Sequence, residues 1–168
     1  MIIRVWIALV ALLPAGCLFA SHTLNPKQSG VIASWLSGHP GYRLATDRDC
    51  ACDESIQRIR VGDGGDGKGV PDYHPYVAVG DFNGDGVVDL AVVVLNTRTR
   101  RDFTMLVFNG PVDLSHAVPA FVSRLRDLTG TGLFYGPPAS VLNRLMIGSF
   151  ESEGLVLQPH GKTYRLEE

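Results

Sequence analysis

The sequence has no excess of basic residues, little cysteine and no long apolar run. Its 168 residues include 15 Lys and Arg against 17 Asp and Glu, so the formal net charge is −2. This balance gives no electrostatic reason to expect a nucleic-acid partner. Three cysteines are too few for a disulfide-rich miniprotein. With 45% hydrophobic residues, the chain is not disordered in composition, and its length suits one domain with its own core.

The common catalytic signatures are also missing. The sequence contains no G-x-S-x-G nucleophile elbow, no H-E-x-x-H zinc motif, no P-loop and no G-x-G-x-x-G after a predicted strand. The five histidines are scattered, and among them only His74 lies near a segment with chemistry of its own. These absences favour a protein that is not an enzyme.

The first residues have the form of an export signal. The apolar run from Val5 to Leu13 is too short to span a bilayer. The next residues, Leu-Pro-Ala-Gly-Cys17, resemble a bacterial lipobox, which implies cleavage after residue 16 and lipidation of Cys17. Pro14 stands where a lipobox usually has Leu, so cleavage after Ala20 and an uncleaved anchor remain alternatives. All three predict export, either to the periplasm or outer membrane with a lipid anchor, or as a secreted protein.

We therefore divide the chain into a signal peptide over residues 1–16, a short linker over residues 17–24 and a single domain over residues 25–168. The order of predicted elements in that domain is helix, strands, helix, strands. This order indicates an α+β fold with a mainly antiparallel sheet, one or two packed helices and one calcium-binding strand-loop-strand turn.

Two helices are predicted in this domain. The first begins at the N-cap Asn25, has Gln28 at the third helical position and ends at Gly38. The second covers residues 118–128, where apolar residues recur at helical spacing. Residues 54–59 fit either a turn of helix or a strand.

The strands are predicted from runs of apolar residues. Asp89–Leu95 is apolar throughout after its first residue, as expected for a strand buried on both faces. The other predicted strands are 77–80, 103–108, 133–135, 144–150, 155–157 and 163–166. Residues 41–61 are ambiguous, and within them residues 42–44 can form a strand.

Cys50 and Cys52 are the two cysteines outside the signal region. They can pair in an oxidising compartment, although the ring of a C-x-C disulfide is tight. They are expected to form a local structural disulfide or to remain as two unreactive thiols. Redox chemistry is less favoured, because the helical context of a C-x-x-C motif is lacking. Without a second His or Cys pair nearby, they make a poor zinc site.

One segment carries a pattern of metal ligands. It reads Asp81-Phe-Asn-Gly-Asp-Gly-Val-Val-Asp89, with oxygen-bearing side chains at positions one, three, five and nine. Gly86 permits the sharp turn that lets alternate side chains point to one centre. Carboxylates and an amide select a hard cation, and Ca²⁺ accepts such oxygen ligands at flexible angles. The expected ligands are the side chains of Asp81, Asn83, Asp85 and Asp89 and the carbonyl of Val87.

This segment resembles the calcium loop of FG-GAP and VCBS repeats. The match includes the pattern D-x-N-x-D-G-x-x-D-L-A-V and is flanked by predicted strands, whereas an EF-hand has helices there. Val92 also stands where an EF-hand has its bidentate Glu. The resemblance implies the same five ligands. It covers one copy of the loop, and a propeller needs several blades, so it does not imply a propeller fold.

Two functions fit these features. The first is a non-enzymatic, calcium-stabilised binding protein of the bacterial envelope that recognises a protein or an envelope polymer. An inhibitor or immunity-type lipoprotein is one specific form of it. In that case the main role of Ca²⁺ is to stabilise the strand-loop-strand turn. The alternative is a small envelope hydrolase that uses Ca²⁺ electrostatically, with His74 and a carboxylate such as Asp72 as acid and base.

Overall fold

The computed structural model describes residues 24–63, 69–136, 144–150 and 154–168. Within these ranges lie three α-helices, a 3₁₀ turn and nine strands in two antiparallel sheets. The predicted α+β class with mainly antiparallel strands is therefore confirmed. The predicted signal peptide and the lipidation site Cys17 lie outside the described residues.

The helices are α1 (Pro26–Ser37), α2 (Asp47–Cys50) and α3 (Asp53–Val61), and the 3₁₀ turn covers Leu114–His116. The strands of the first sheet are β1 (Tyr42–Leu44), β2 (Val77–Gly80), β3 (Asp89–Asn96), β4 (Asp102–Phe108) and β5 (Phe121–Arg126). The strands of the second sheet are β6 (Thr131–Phe134), β7 (Leu145–Ser149), β8 (Gly154–His160) and β9 (Thr163–Glu167).

Strand β3 is the centre of the first sheet. It pairs with β4 along one edge, while β1 and β2 share its other edge. The order then continues from β4 to β5, which is the last strand on that side. The second sheet is a simple meander in which β6, β7, β8 and β9 pair in chain order.

The two faces of β3 contribute to two different hydrophobic clusters. Leu90, Val92 and Val94 pack with Val31 and Ile32 of α1. The alternate residues of β3 pack with α3 and with side chains of the second sheet. Because successive side chains of a strand point to opposite faces, β3 is buried on both sides, as its apolar run predicts.

Helix α1 begins as its sequence predicts. The side chain of Asn25 accepts from the backbone N–H of Gln28 at 3.0 Å, and the Gln28 side chain accepts from the N–H of Asn25 at 2.9 Å. This reciprocal capping satisfies two N–H groups that the first turn leaves without helical partners. Among the described residues, no helix is both long enough and apolar enough to cross a membrane.

The helix predicted over residues 118–128 is wrong. The chain forms the short 3₁₀ turn and then strand β5, in which intermediate and exposed residues alternate. Val118, Phe121, Val122 and Leu125 have helical spacing, but Phe121 and Leu125 also lie on one face of a strand. Pairing with the free edge of β4 decides between the two, since it supplies hydrogen-bond partners for both backbones.

The structure also resolves two ambiguities. Residues 54–59 lie within α3, so their alternative as a strand is wrong. Cys50 and Cys52 form a disulfide that joins the end of α2 to the start of α3. Ala51 between them adopts the left-handed conformation, with φ of 52°. The C-x-C pair is therefore a local staple between two helices.

A bidentate ion pair joins β1 to α2 and makes stability depend on pH. Arg43 donates to both carboxylate oxygens of Asp49, at 2.6 and 2.8 Å, and this holds the pKa of Asp49 at about 2. A carboxyl group whose pKa is lowered by folding stabilises the protein above its unfolded pKa of about 4, and this contribution is lost as the pH falls towards 2.

We expect Asp49→Asn to lower the free energy of unfolding at pH 7 by about 1 kcal/mol or less, since Arg43 is 45% exposed. The difference from wild type should shrink as the pH is lowered from 4 to 2, as measured by urea unfolding. Glu167→Gln is the control, because its contact with Arg165 is 3.7 Å long and both side chains are exposed. A difference that does not change with pH would contradict this account.

Candidate metal centre at the loop between β2 and β3

The candidate metal loop consists of residues 81–88, which join β2 to β3. Gly80 and Asp89 lie opposite each other at its base. Gly84 and Gly86 have φ values of +79° and +84°. These left-handed conformations are strained for other residues, so the two glycines set the path of the loop.

The loop wraps around the carboxylate of Asp81. This group accepts hydrogen bonds from the backbone N–H groups of Gly84 at 2.7 Å, Asp85 at 3.1 Å and Gly86 at 2.8 Å. An acidic side chain that binds N–H groups several residues ahead is a common way to close a tight turn. Asp81 therefore organises the loop before any ligand is considered.

The next two predicted ligand side chains continue this pattern. Asn83 Oδ1 accepts from the N–H of Asp85 at 2.9 Å, and Asp85 Oδ1 accepts from the N–H of Val87 at 2.8 Å. The Asn83 amide also donates to Asp85 Oδ2 at 3.0 Å. The alternate side chains of the loop are thus turned towards its own backbone and towards one another.

Asp89 differs from the other predicted ligands because it is completely buried. Its Oδ2 accepts from the N–H of Phe82 at 2.8 Å, and its Oδ1 accepts from the N–H of Gly110 at 2.8 Å. Burial raises the pKa of Asp89, and the hydrogen bonds from Gly110 and Phe82 partly oppose that rise. Asp89 is therefore the residue that ties the base of the loop to the segment after β4.

Tyr164 of β9 contacts the base of this loop, and Tyr135, which directly follows β6, contacts its first residue. The Tyr164 hydroxyl lies 2.6 Å from Asn109 Oδ1 and 3.3 Å from Asp89 Oδ2, so its one proton serves either acceptor. The Tyr135 hydroxyl donates to the carbonyl of Asp81 at 3.0 Å. The Tyr135 ring packs so closely on Gly80 that a Cβ there would overlap it. These two tyrosines therefore hold the loop from two positions.

The donor set of the loop fits Ca²⁺ under one condition. In the described part of the chain, no Lys, Arg or His forms an ion pair with Asp81, Asp85 or Asp89. Across the same residues, no three Asp, Glu, His or Cys side chains gather closely enough to hold a metal ion. The three predicted carboxylate ligands, Asp81, Asp85 and Asp89, are therefore not gathered into a metal-binding group here. Binding of Ca²⁺ would require the Asn83 amide and the Val87 carbonyl as well, and Ca²⁺ accepts such a donor set.

His74, the candidate acid or base, lies in a different environment. Its Nδ1 is 2.9 Å from Asp47 Oδ1, and Arg60 binds the other oxygen of Asp47 at 2.7 Å. His74 precedes β2 and the loop follows it, so an extended strand about 13 Å long separates them. Asp47, which the sequence analysis did not single out, is the carboxylate that contacts His74. The structure thus does not bring His74 to the candidate metal loop.

The residues that support the loop from outside have no signature in the local sequence. Tyr164 contacts Asp89 across a separation of 75 residues, and Tyr135 contacts Asp81 across 54. Gly110 leaves room for Val87 and Val88, which a Cβ would strike. The sequence signal for Gly110 is its place two residues after an apolar strand, and no comparable signal marks the tyrosines.

The chain matches no protein-family model, no curated protein and no solved structure in the three comparisons. The resemblance of residues 79–92 to FG-GAP and VCBS calcium loops therefore stays a prediction. The site is interpreted from the hydrogen bonds and packing contacts of its own residues.

We expect Tyr164→Phe to lower the free energy of unfolding by about 1 kcal/mol, because it removes a hydrogen bond from a buried carboxylate and a neighbouring amide. Thermal or urea unfolding measures this change. Tyr42→Phe is the matched control, since its ring is only partly buried and its hydroxyl makes no hydrogen bond in the described structure. Equal effects of the two substitutions would contradict a supporting role for Tyr164.

Proposed function

We propose that this chain is an exported, non-enzymatic binding protein of the bacterial envelope whose domain is stabilised by Ca²⁺. The observation that carries the proposal is the segment of residues 81–89, which contains the loop and Asp89 at its base. It combines three carboxylates, an amide and two left-handed glycines, and no cationic side chain pairs with its acids in the described structure. A bound cation offsets the repulsion between such carboxylates.

The proposed ligands are the side chains of Asp81, Asn83, Asp85 and Asp89 and the carbonyl of Val87. Ca²⁺ bound there supplies positive charge to an otherwise uncompensated acidic loop. Asp89 then has a second role, because its hydrogen bonds already connect the loop to Gly110 and Tyr164. Fixing the loop therefore also favours the packing of the second sheet against the first.

Two observations support a binding role over the hydrolase alternative. The sequence lacks the catalytic motifs named above. In addition, His74 contacts Asp47 and precedes β2, whereas the loop follows β2, so the length of that strand separates His74 from a cation held at the loop. The export and anchoring part of the proposal depends on residues 1–20, with Cys17 as the proposed site of lipidation. The partner is proposed to be a protein or an envelope polymer.

Unfolding curves with Ca²⁺ and with a chelator test the calcium part. At a hundredfold excess over the dissociation constant, we expect Ca²⁺ to raise the free energy of unfolding by about 2.7 kcal/mol. Asp85→Ala should remove most of this increase, whereas Asp63→Ala, which removes a similar charge outside the loop, should retain it. Identical curves with Ca²⁺ and chelator, together with a silent Asp85→Ala, would contradict the calcium proposal.

Capture of partners from native envelope extract tests the binding part. The full chain, processed by a bacterial host, should retain a protein or polymer that binds again when both components are purified. Chelation of Ca²⁺ should weaken this retention, since it destabilises the domain. The hydrolase alternative predicts instead turnover of a cell-wall or ester substrate that is lost in His74→Ala. That turnover, without any recovered partner, would overturn the proposal.

A further inference from the structure

Strand β5 (Phe121–Arg126) forms an open edge of the first sheet. It pairs with β4 on one side, and within the described residues no strand pairs with its other side. An open strand edge presents unpaired N–H and C=O groups to any chain that can align with it.

The register shows which residues of β5 present their backbone outwards. The N–H of Asp127 donates to the carbonyl of Arg101 at 3.1 Å, which marks a hydrogen-bonded pair in line with the β4–β5 register. Hydrogen-bonded and non-hydrogen-bonded pairs alternate along an antiparallel ladder. The N–H and C=O groups of Val122, Arg124 and Arg126 therefore point away from β4.

The same three residues also have exposed side chains. Val122 is 53% exposed, and Arg124 and Arg126 are exposed as well, while the residues between them face the core. A chain aligned with β5 would therefore contact, at every second residue, both unpaired backbone N–H and C=O groups and an exposed side chain. Two of these three side chains carry positive charge.

Further arginines lie at the same end of the sheet. Arg126 is opposite Asp102, and the tip of the β3–β4 hairpin directly before Asp102 contains Arg98, Arg100 and Arg101. None of the five arginines makes a side-chain hydrogen bond or an ion pair in the described structure. Arg43 and Arg60, by contrast, are paired with carboxylates. Asp127 is a neighbour of Arg101, because the Thr129 hydroxyl and, more weakly, Arg101 lower the pKa of its carboxyl group. The other arginines of this cluster are available to an external anion.

We propose that the edge of β5 accepts an extended acidic segment of a partner protein as an added strand. Main-chain hydrogen bonds to Val122, Arg124 and Arg126 supply the alignment, and carboxylates at alternate positions of the segment pair with Arg124 and Arg126. The arginines of the hairpin tip extend the attraction beyond the strand. This inference takes up the binding role proposed above and names its surface and the class of its partner.

A second copy of the chain fits this edge poorly. Pairing of β5 with β5 brings the arginines of one copy close to those of the other. Like charges placed opposite each other destabilise a strand pair, and charged residues at an edge oppose self-association. An acidic segment removes that repulsion, so charge complementarity selects a different protein.

The test uses a capped peptide of alternating Glu and Val residues at low ionic strength. Amide hydrogen exchange should show the N–H groups of Val122, Arg124 and Arg126 becoming protected on binding. The amides of Ser123 and Leu125, which face β4, should already be protected in the free protein. The double variant Arg124→Glu/Arg126→Glu should bind at least tenfold more weakly, whereas Arg165→Glu on β9 should bind as wild type does.

A peptide N-methylated at the residues whose N–H groups face β5 keeps its charge and loses those donors, so it should bind the wild-type chain weakly. This comparison uses no protein variant, so it holds even where a variant does not fold. Equal binding of the N-methylated peptide or of polyphosphate, without amide protection, would show simple anion attraction and overturn the proposal. Self-association through β5 in sedimentation would also overturn it. A captured envelope partner that still binds Arg124→Glu/Arg126→Glu would overturn this inference and leave the binding function intact.

Discussion

The buried carboxylate of Asp89 is the constraint on which the candidate site depends. An ionised carboxyl group is costly to bury unless hydrogen bonds replace its hydration. Asp89 obtains them from Phe82 in the loop and Gly110 after β4, with the Tyr164 hydroxyl of β9 also in reach. Phe82 lies in the adjoining loop, whereas Gly110 and Tyr164 come from other parts of the chain, so satisfying one carboxylate brings the loop, the first sheet and the second sheet together.

This constraint gives Ca²⁺ a structural role in the proposed function. The exposed part of the loop carries Asp81, Asn83 and Asp85, and its base is fixed by Asp89. Tyr135 adds a second link, because its hydroxyl binds the Asp81 carbonyl. A cation that holds the loop therefore acts on the packing of both sheets. The open edge of β5 is a separate surface on the domain that this packing stabilises.

Features set by neighbouring residues could be predicted from the sequence. The capping of α1 by Asn25 and Gln28 and the burial of β3 on both faces depend on a few adjacent side chains. The helix predicted over residues 118–128 was wrong because apolar residues four apart, such as Phe121 and Leu125, lie on one face of a strand as well as on one face of a helix. There the free edge of β4 decided the outcome, and a partner distant in sequence leaves no local pattern.

In the candidate site, too, local features could be predicted from the sequence and contacts with distant residues could not. Four of the five predicted ligands lie in the loop of residues 81–88 and Asp89 lies at its base, and the loop's glycines take the left-handed conformations that a tight turn requires. The supporting contacts of Tyr135, Tyr164 and Gly110 could not be predicted, because the fold brings them to the loop from other elements. For the same reason, the burial of Asp89 and its hydrogen bonds became visible only in the folded chain.

The central claim is that the loop and both sheets are stabilised as one unit by Ca²⁺. Native-state hydrogen exchange of β3 and β9, measured with Ca²⁺ and with a chelator, tests this claim most directly. The account predicts that Ca²⁺ raises the free energy of exchange by the same amount in both strands, about 2.7 kcal/mol at a hundredfold excess over the dissociation constant. An increase confined to residues 84–87, with β9 unchanged, would contradict it.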